Sequence, residues 1–265
     1  MKKYFKLLLM NSQNTIIYRV RALIWLLYDI IVPLFMIVFF KTVIEDPTQQ
    51  IKGFTINNLI TYYFLVSFFG YLLSSHIEDD IERAVKSGQV SHLLIKPVSF
   101  FKTEFAHELG YKSFTSIIIF IIAFFLFIFL GQYLQFNLSF LLLPFLIIAL
   151  TFSFLINFLV SFLVGLLSFW LEEIVGLSSL KDVVILIFSG AVLPLEFFPE
   201  FLNKINNLLP FKYLLYFPVS IFQGKILFPS ILSGLLIQII WIFIFYLLYK
   251  LFYLKTIKHY SAVGG

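Results

Sequence analysis

The chain has 265 residues, of which 61% are hydrophobic and only 12% charged, with a net charge of +5. Soluble domains carry roughly 25% charged residues, and so few charges cannot cover a water-facing surface. A soluble enzyme, a secreted domain and a disordered regulator are therefore excluded. Six membrane-crossing helices of about 20 apolar residues each would absorb roughly 120 residues, which matches the excess. The expectation is an all-α polytopic membrane protein, a single domain over residues 1–265 with six transmembrane helices. In this setting the basic excess belongs on membrane flanks, and a nucleic-acid partner is not expected.

Residues 1–21 place Lys2, Lys3, Lys6, Arg19 and Arg21 around a short apolar stretch, a pattern that predicts an interfacial amphipathic helix. The first span is predicted over 22–43, interrupted by Asp29 and Pro33, and the second over 58–75. A polar loop over 76–112 leads to spans at 113–134 and 140–170. Glu172 and Glu173 mark the next corner, and a fifth span over 174–195 carries Lys181 and Asp182 in its first turns. The segment 196–227 contains Pro199, Pro210 and Pro218 and reads as a pair of short, partly re-entrant helices. The last span covers 228–253, and no internal repeat relates the halves.

Fourteen of the nineteen Lys and Arg residues fall on the side holding both termini and the loop 76–112. By the positive-inside rule both termini and this loop face the cytoplasm. The expected location is the cell membrane, the inner one where there are two, of a bacterium or archaeon.

Catalytic patterns are missing. His76, His92, His107 and His259 show no metal-ligand pairing, and His107-Glu108 is followed by Leu109, Gly110 and Tyr111, so the pattern H-E-x-x-H fails. The sequence has no Gly-x-Ser-x-Gly elbow and no phosphate-binding loop. No metal site and no enzymatic activity of the chain itself are expected. Asp29 reads equally as a group lining a vestibule, a partner of Arg21 or a neutral acid. Ala149, Ser153, Asn157, Ser161 and Gly165 recur every four residues, a small-residue ridge suited to close helix packing. Within it Asn157 and Ser161 are the candidates for a translocation path. Glu172, Glu173, Lys181 and Asp182 read first as a neutralised corner, and second as a contact with a partner.

The loop 76–112 is the most informative segment. Ser75 and Glu78 have the spacing of a capping box. Ile77, Ile81 and Val85 form one apolar stripe, Asp79–Arg83 and Glu82–Lys86 are favourable i,i+4 pairs, and Gly88 is placed as a stop. The run from Ile81 to Val98, IERAVKSGQVSHLLIKPV, resembles the signature loop of the ABC type-2 exporter permeases. The ending HYSAVGG and the series LEFFP, LPF and Gly224 are similar to the same family, in the same order.

The resemblance implies a permease that moves a hydrophobic or amphipathic substrate outward and pairs with a second copy or a paralogue. Two separate ABC ATPase subunits would bind ATP and Mg and dock on the cytoplasmic face. It implies that residues 77–87 are the coupling helix, with Ile77, Ile81 and Val85 as apolar contacts to the ATPase. Glu82, Arg83 and Lys86 would be polar contacts, with Gly88 closing the helix, and Glu172 and Glu173 a second possible contact. The competing readings are an ion-coupled secondary transporter and a non-transporting scaffold or immunity protein.

Overall fold

The computed structural model describes the backbone over residues 19–44, 49–91 and 99–259, and side chains over 30–44, 49–91 and 99–256. The expected N-terminal interfacial helix, most of the motif after Ser91, and the final residues lie outside that description. Among the described residues the regular structure is helical. In chain order it runs α1 (Arg19–Val43), α2 (Ile56–Leu73), α3 (Ile77–Lys86), α4 (Phe100–Leu130) and α5 (Leu143–Leu166), then α6 (Val175–Phe188), α7 (Glu200–Leu208), α8 (Tyr216–Phe222) and α9 (Phe228–His259).

Four stretches among the described residues are long and apolar enough to cross a membrane: 56–86, 100–133, 140–169 and 228–256. Their outer faces carry bare aromatic and aliphatic side chains, such as Phe124 at 62%, Phe129 at 75% and Phe243 at 61% exposure. Water would not tolerate apolar faces of this extent; a bilayer does. The chain is thus a multi-pass membrane protein.

Several expected boundaries move. The predicted third span begins at residue 113, whereas α4 starts at Phe100 and runs 31 residues. Its polar first turns are helical because Thr103, Glu104, Glu108 and Lys112 turn inward and are buried against the rest of the bundle. Lys112 Nζ donates to the Tyr71 carbonyl at 2.8 Å and to Ser74 Oγ at 3.1 Å, which satisfies the end of α2. The predicted fifth span, 174–195, is a helix of only 14 residues, about 21 Å long. It stops where the Tyr62 and Tyr63 hydroxyls donate to the carbonyls of Gly190 and Val192, at 2.6 and 2.8 Å, and hold the turned chain. Among the described residues α1 contributes the shorter apolar stretch Ile30–Val43. Four crossings therefore stand on length and composition where six were expected.

The core sits on α5. The long helix α9 lies along it, drawn in by Gln238, whose side-chain amide donates to the Ala149 carbonyl, Ser153 Oγ and the Tyr213 carbonyl at 3.0–3.2 Å. The predicted amphipathic helix after Pro199 forms as α7, but its buried residue is Asn206, whose Nδ2 donates to the Phe188 carbonyl. Ile205 on the same helix is 48% exposed. A hydrogen bond to the end of α6 orients this helix in place of an apolar stripe.

Candidate functional site

The site forms where α2 ends and the chain turns through Ser74, Ser75 and His76 into α3. Three other helices grip this corner. Lys112 of α4 holds the Tyr71 carbonyl; Ser161 of α5 donates to the Ser75 carbonyl at 2.7 Å; Lys181 of α6 donates to the same carbonyl at 3.1 Å and to Ser161 Oγ at 3.1 Å. Ser161 is therefore a structural member of the corner, and the small ridge of α5 is a packing face, with all five of its residues buried.

The α3 helix lies tightly on α5. Ile77 and Ile81 are both 0% exposed and pack with Phe158, Leu159, Phe162 and Leu166. Gly165 faces them so closely that a Cβ there would stand 2.7 Å from Ile81 Cδ1 and 3.1 Å from Glu78 Cα. This corrects the expectation that Ile77 and Ile81 meet a partner: the apolar stripe is turned into the chain's own core, with Val85 partly buried at its edge. The outward face consists of Arg83, Lys86 and Ser87. Gly88 ends the helix as expected, at φ +71°, with its N–H on the Val85 carbonyl.

Among the acids of α3, Glu82 makes its expected pair with Lys86, whereas Glu78 leaves its expected local role. The residue before the helix is His76, which makes no side-chain cap, and the Ser75 hydroxyl sits beside the Glu108 carboxyl of α4, so the expected capping box does not form. Glu78, fully buried, instead pairs with Lys181 and accepts a hydrogen bond from Ser178 Oγ at 3.0 Å. One turn later Glu82 accepts the backbone N–H of Ile174 at 3.0 Å and pairs with Lys86 at 2.9 Å. The Ile174 N–H belongs to the residue that precedes α6, so Glu82 caps that helix where its dipole favours an anion. Arg83 pairs with Asp80. Two carboxylates on one face of α3 are thus fastened to α6.

Asp182 joins the cluster, with Oδ1 3.1 Å from Lys181 Nζ and Oδ2 3.9 Å from His76 Nδ1. Ligand atoms of His76, Glu78 and Asp182 lie within 4.8 Å of one another, a grouping that no sequence spacing revealed. The Lys181 ammonium already supplies the positive charge among these carboxylates, so the arrangement reads as an ion-pair knot. Glu172 and Glu173 are exposed at the corner before α6 and do not join Lys181 and Asp182. Glu104 and Glu108, buried on α4, were missed because the expected helix began only after them. Their spacing of four with Lys112 was the available signal. Asp29 lies on α1 with its side chain outside the described residues.

Two hollows meet at His76 and Asp182. One, of about 340 Å³, opens between α3 and α6 among Asp79, Glu82, Arg83 and Ser178. The other, of about 120 Å³, lies inside the bundle between α2, α5 and α6, and Asn157 lines it. Asn157 Nδ2 donates to the Ser153 carbonyl at 3.3 Å.

These features define a helical membrane protein with a short polar-faced helix anchored beneath its spans. A model of the ABC-2 family transporter proteins matches residues 30–264, and the chain belongs to that family. No curated protein and no solved structure matches it. ABC-2 membrane proteins are permease subunits of ABC transporters, and they normally work with ABC ATPase partners.

Proposed function

We infer that the chain is the membrane-spanning subunit of an ATP-driven exporter, working as a pair of permeases with two ABC ATPase chains that bind ATP and Mg. The α3 helix is its coupling helix, both termini are cytoplasmic, and α1 and α6 complete six spans in a bacterial or archaeal cell membrane. The substrate is hydrophobic or amphipathic and moves outward by alternating access.

One observation carries this reading: α3 presents Arg83 and Lys86 outward while its inner face is tied to α5 and, through Glu78 and Glu82, to α6. A push on the outer face travels to α6 as a rigid displacement, because separating Glu78 from Lys181 would strip a fully buried carboxylate of its lysine. The polar contacts to the ATPase are then Arg83 and Lys86, with Ile77 and Ile81 acting as the inner bearing.

The test is gentle detergent extraction followed by a search for a co-purifying nucleotide hydrolase. The wild-type chain brings one down; Arg83→Glu/Lys86→Glu inserts normally but loses it. A double variant that keeps both partner and ATP-dependent flux in vesicles would sink the coupling assignment. Buried Glu104 and Glu108 are groups that an ion-coupled carrier could use, but they sit in the first turns of α4, away from mid-span. Flux driven by a proton gradient without the ATPase would decide for that carrier.

A further inference from the structure

The inner hollow runs along one face of α6. Asp182, Ile185, Leu186 and Ser189 all line it, and their helical spacing puts them on the same side of the helix. Asp182 and Ser189 are thus two turns apart, about 10.5 Å along the axis. Asp182 also lines the wider cleft beside α3, so its end of the row is the mouth. Gly70, Leu73, Ala191 and Leu214 complete the apolar wall.

The mouth carries more negative charge than it neutralises. Lys181 serves two carboxylates, Glu78 and Asp182. The Glu78 side chain is sealed at 0% exposure, whereas that of Asp182 is 33% exposed. Asp182 Oδ2 has His76 Nδ1 at 3.9 Å, too far for a hydrogen bond. Glu82 and Arg83 of the cleft are taken by Lys86 and Asp80 and leave the count unchanged. At about pH 8, where a histidine is ordinarily neutral, two carboxylates therefore share one ammonium. At the far end Ser189 is 1% exposed, and its hydroxyl has no hydrogen-bond partner among the described residues. Buried hydroxyls are almost always paired, because leaving one unpaired forfeits its hydration. The Ser75 hydroxyl, also on the lining, sits beside the Glu108 carboxyl and is already engaged.

We propose that this hollow binds an organic monocation, with an ammonium at Asp182, an apolar body along Ile185 and Leu186, and a hydroxyl oxygen at Ser189. The ammonium supplies the missing counter-charge where water is scarce, and its charge-assisted hydrogen bond to Asp182 is roughly twice as strong as a neutral one. An anion would meet two carboxylates and a lysine that both already hold. The apolar body gains by leaving water for the aliphatic wall. A hollow of about 120 Å³ suits a body of about six carbons, since an apolar cavity of roughly 150 Å³ holds benzene. That this cation is the exported substrate rests on the exporter reading; that the hollow binds it does not.

Purified permease in phosphatidylcholine nanodiscs at about pH 8, without any ATPase, is titrated with tritiated 6-amino-1-hexanol. The neutral 1,6-hexanediol, the anionic 6-hydroxyhexanoate and hexylamine, which lacks the hydroxyl, are compared with it. The expected result is saturable binding of one amino alcohol per chain, about tenfold weaker for the diol, with the anion excluded. Asp182→Asn should weaken the amino alcohol about tenfold and leave the diol unchanged, which separates lost charge from misfolding. Ser189→Ala should weaken the amino alcohol about fivefold and leave hexylamine unchanged. Absence of saturable binding means a cavity that holds water only, and overturns the site. Equal affinity for the diol or the anion overturns the cationic class. Full affinity in both Asp182→Asn and Ser189→Ala places the cation elsewhere and overturns the assignment. Failure to capture an ATPase would leave each of these outcomes intact while sinking the exporter reading.

Discussion

Lys181 of α6 and Glu78 of α3 form an ion pair sealed inside the protein, with side-chain exposures of 5% and 0%. Each charge has further partners: Ser161, Asp182 and the Ser75 carbonyl around the lysine, and Ser178 on the carboxylate. Removing Lys181 strands the Glu78 carboxylate in a poorly hydrated setting, which costs about 3–5 kcal/mol, and removing Glu78 leaves the lysine only Asp182; replacing both by apolar groups of similar volume is often neutral. Glu78→Met and Lys181→Met are each expected to lower the thermal midpoint in detergent markedly. The double variant is expected to recover most of the loss. A double variant as unstable as the sum of the singles would show that the two residues do not act as a pair.

The contact between Gly165 and α3 is equally open to test. In Gly165→Ala the new methyl meets Ile81 Cδ1, which can shift, and Glu78 Cα, which is backbone and cannot easily do so. The overpacking should cost about 1–3 kcal/mol. Ile81→Val removes the nearest atom and should return part of that stability in the double variant. Additive losses would mean that the helix retreats from α5 instead of repacking. Thermal unfolding of the two singles and the double measures this.

Ile81→Asp distinguishes an inward from an outward Ile81. On an outward face it would leave the fold intact and affect only partner binding. At 0% exposure it places an unpaired carboxylate against Phe158 and Phe162, and folded protein should be lost or badly destabilised. A monodisperse variant of normal stability would contradict the burial.

Membrane residence was legible in the sequence because apolar composition and span length are averages over many residues. The α3 helix was legible for a local reason: Ile77, Ile81, Gly88 and the surrounding acids set its limits and its apolar stripe. The stripe could not say which neighbour it packs against, and Ile81 met α5 of its own chain. Glu78 looked like a capping residue, since its partner Lys181 lies 103 positions away and pairing at that distance leaves no local period. The early start of α4 was hidden by its own charges. Glu104, Glu108 and Lys112 read as loop until the corner after α2 is there to receive them.

At the opposite end of the bundle, Lys225 offers a titration that can be read directly. Its ammonium stands 3.1 Å from the centre of the Phe54 ring, so the charged tip is shielded although the residue as a whole is exposed. Burial pushes its pKa down from 10.5 to about 8, with the carboxylate of Glu196 opposing the shift. A lysine depressed in the folded protein is destabilising while it is charged in both states, below about pH 8. The folded state regains that stability as pH rises from about 8 toward 10.5, because over this interval the unfolded chain holds the extra proton. Lys225 should therefore react with amine-directed reagents with a midpoint near pH 8. Mass-spectrometric labelling across pH 6–11 measures this, and Phe54→Leu, which removes the ring, should raise the midpoint as water reaches the ammonium. A midpoint near 10.5 in the unaltered protein would show that water reaches the ammonium already and that the ring does not shield it.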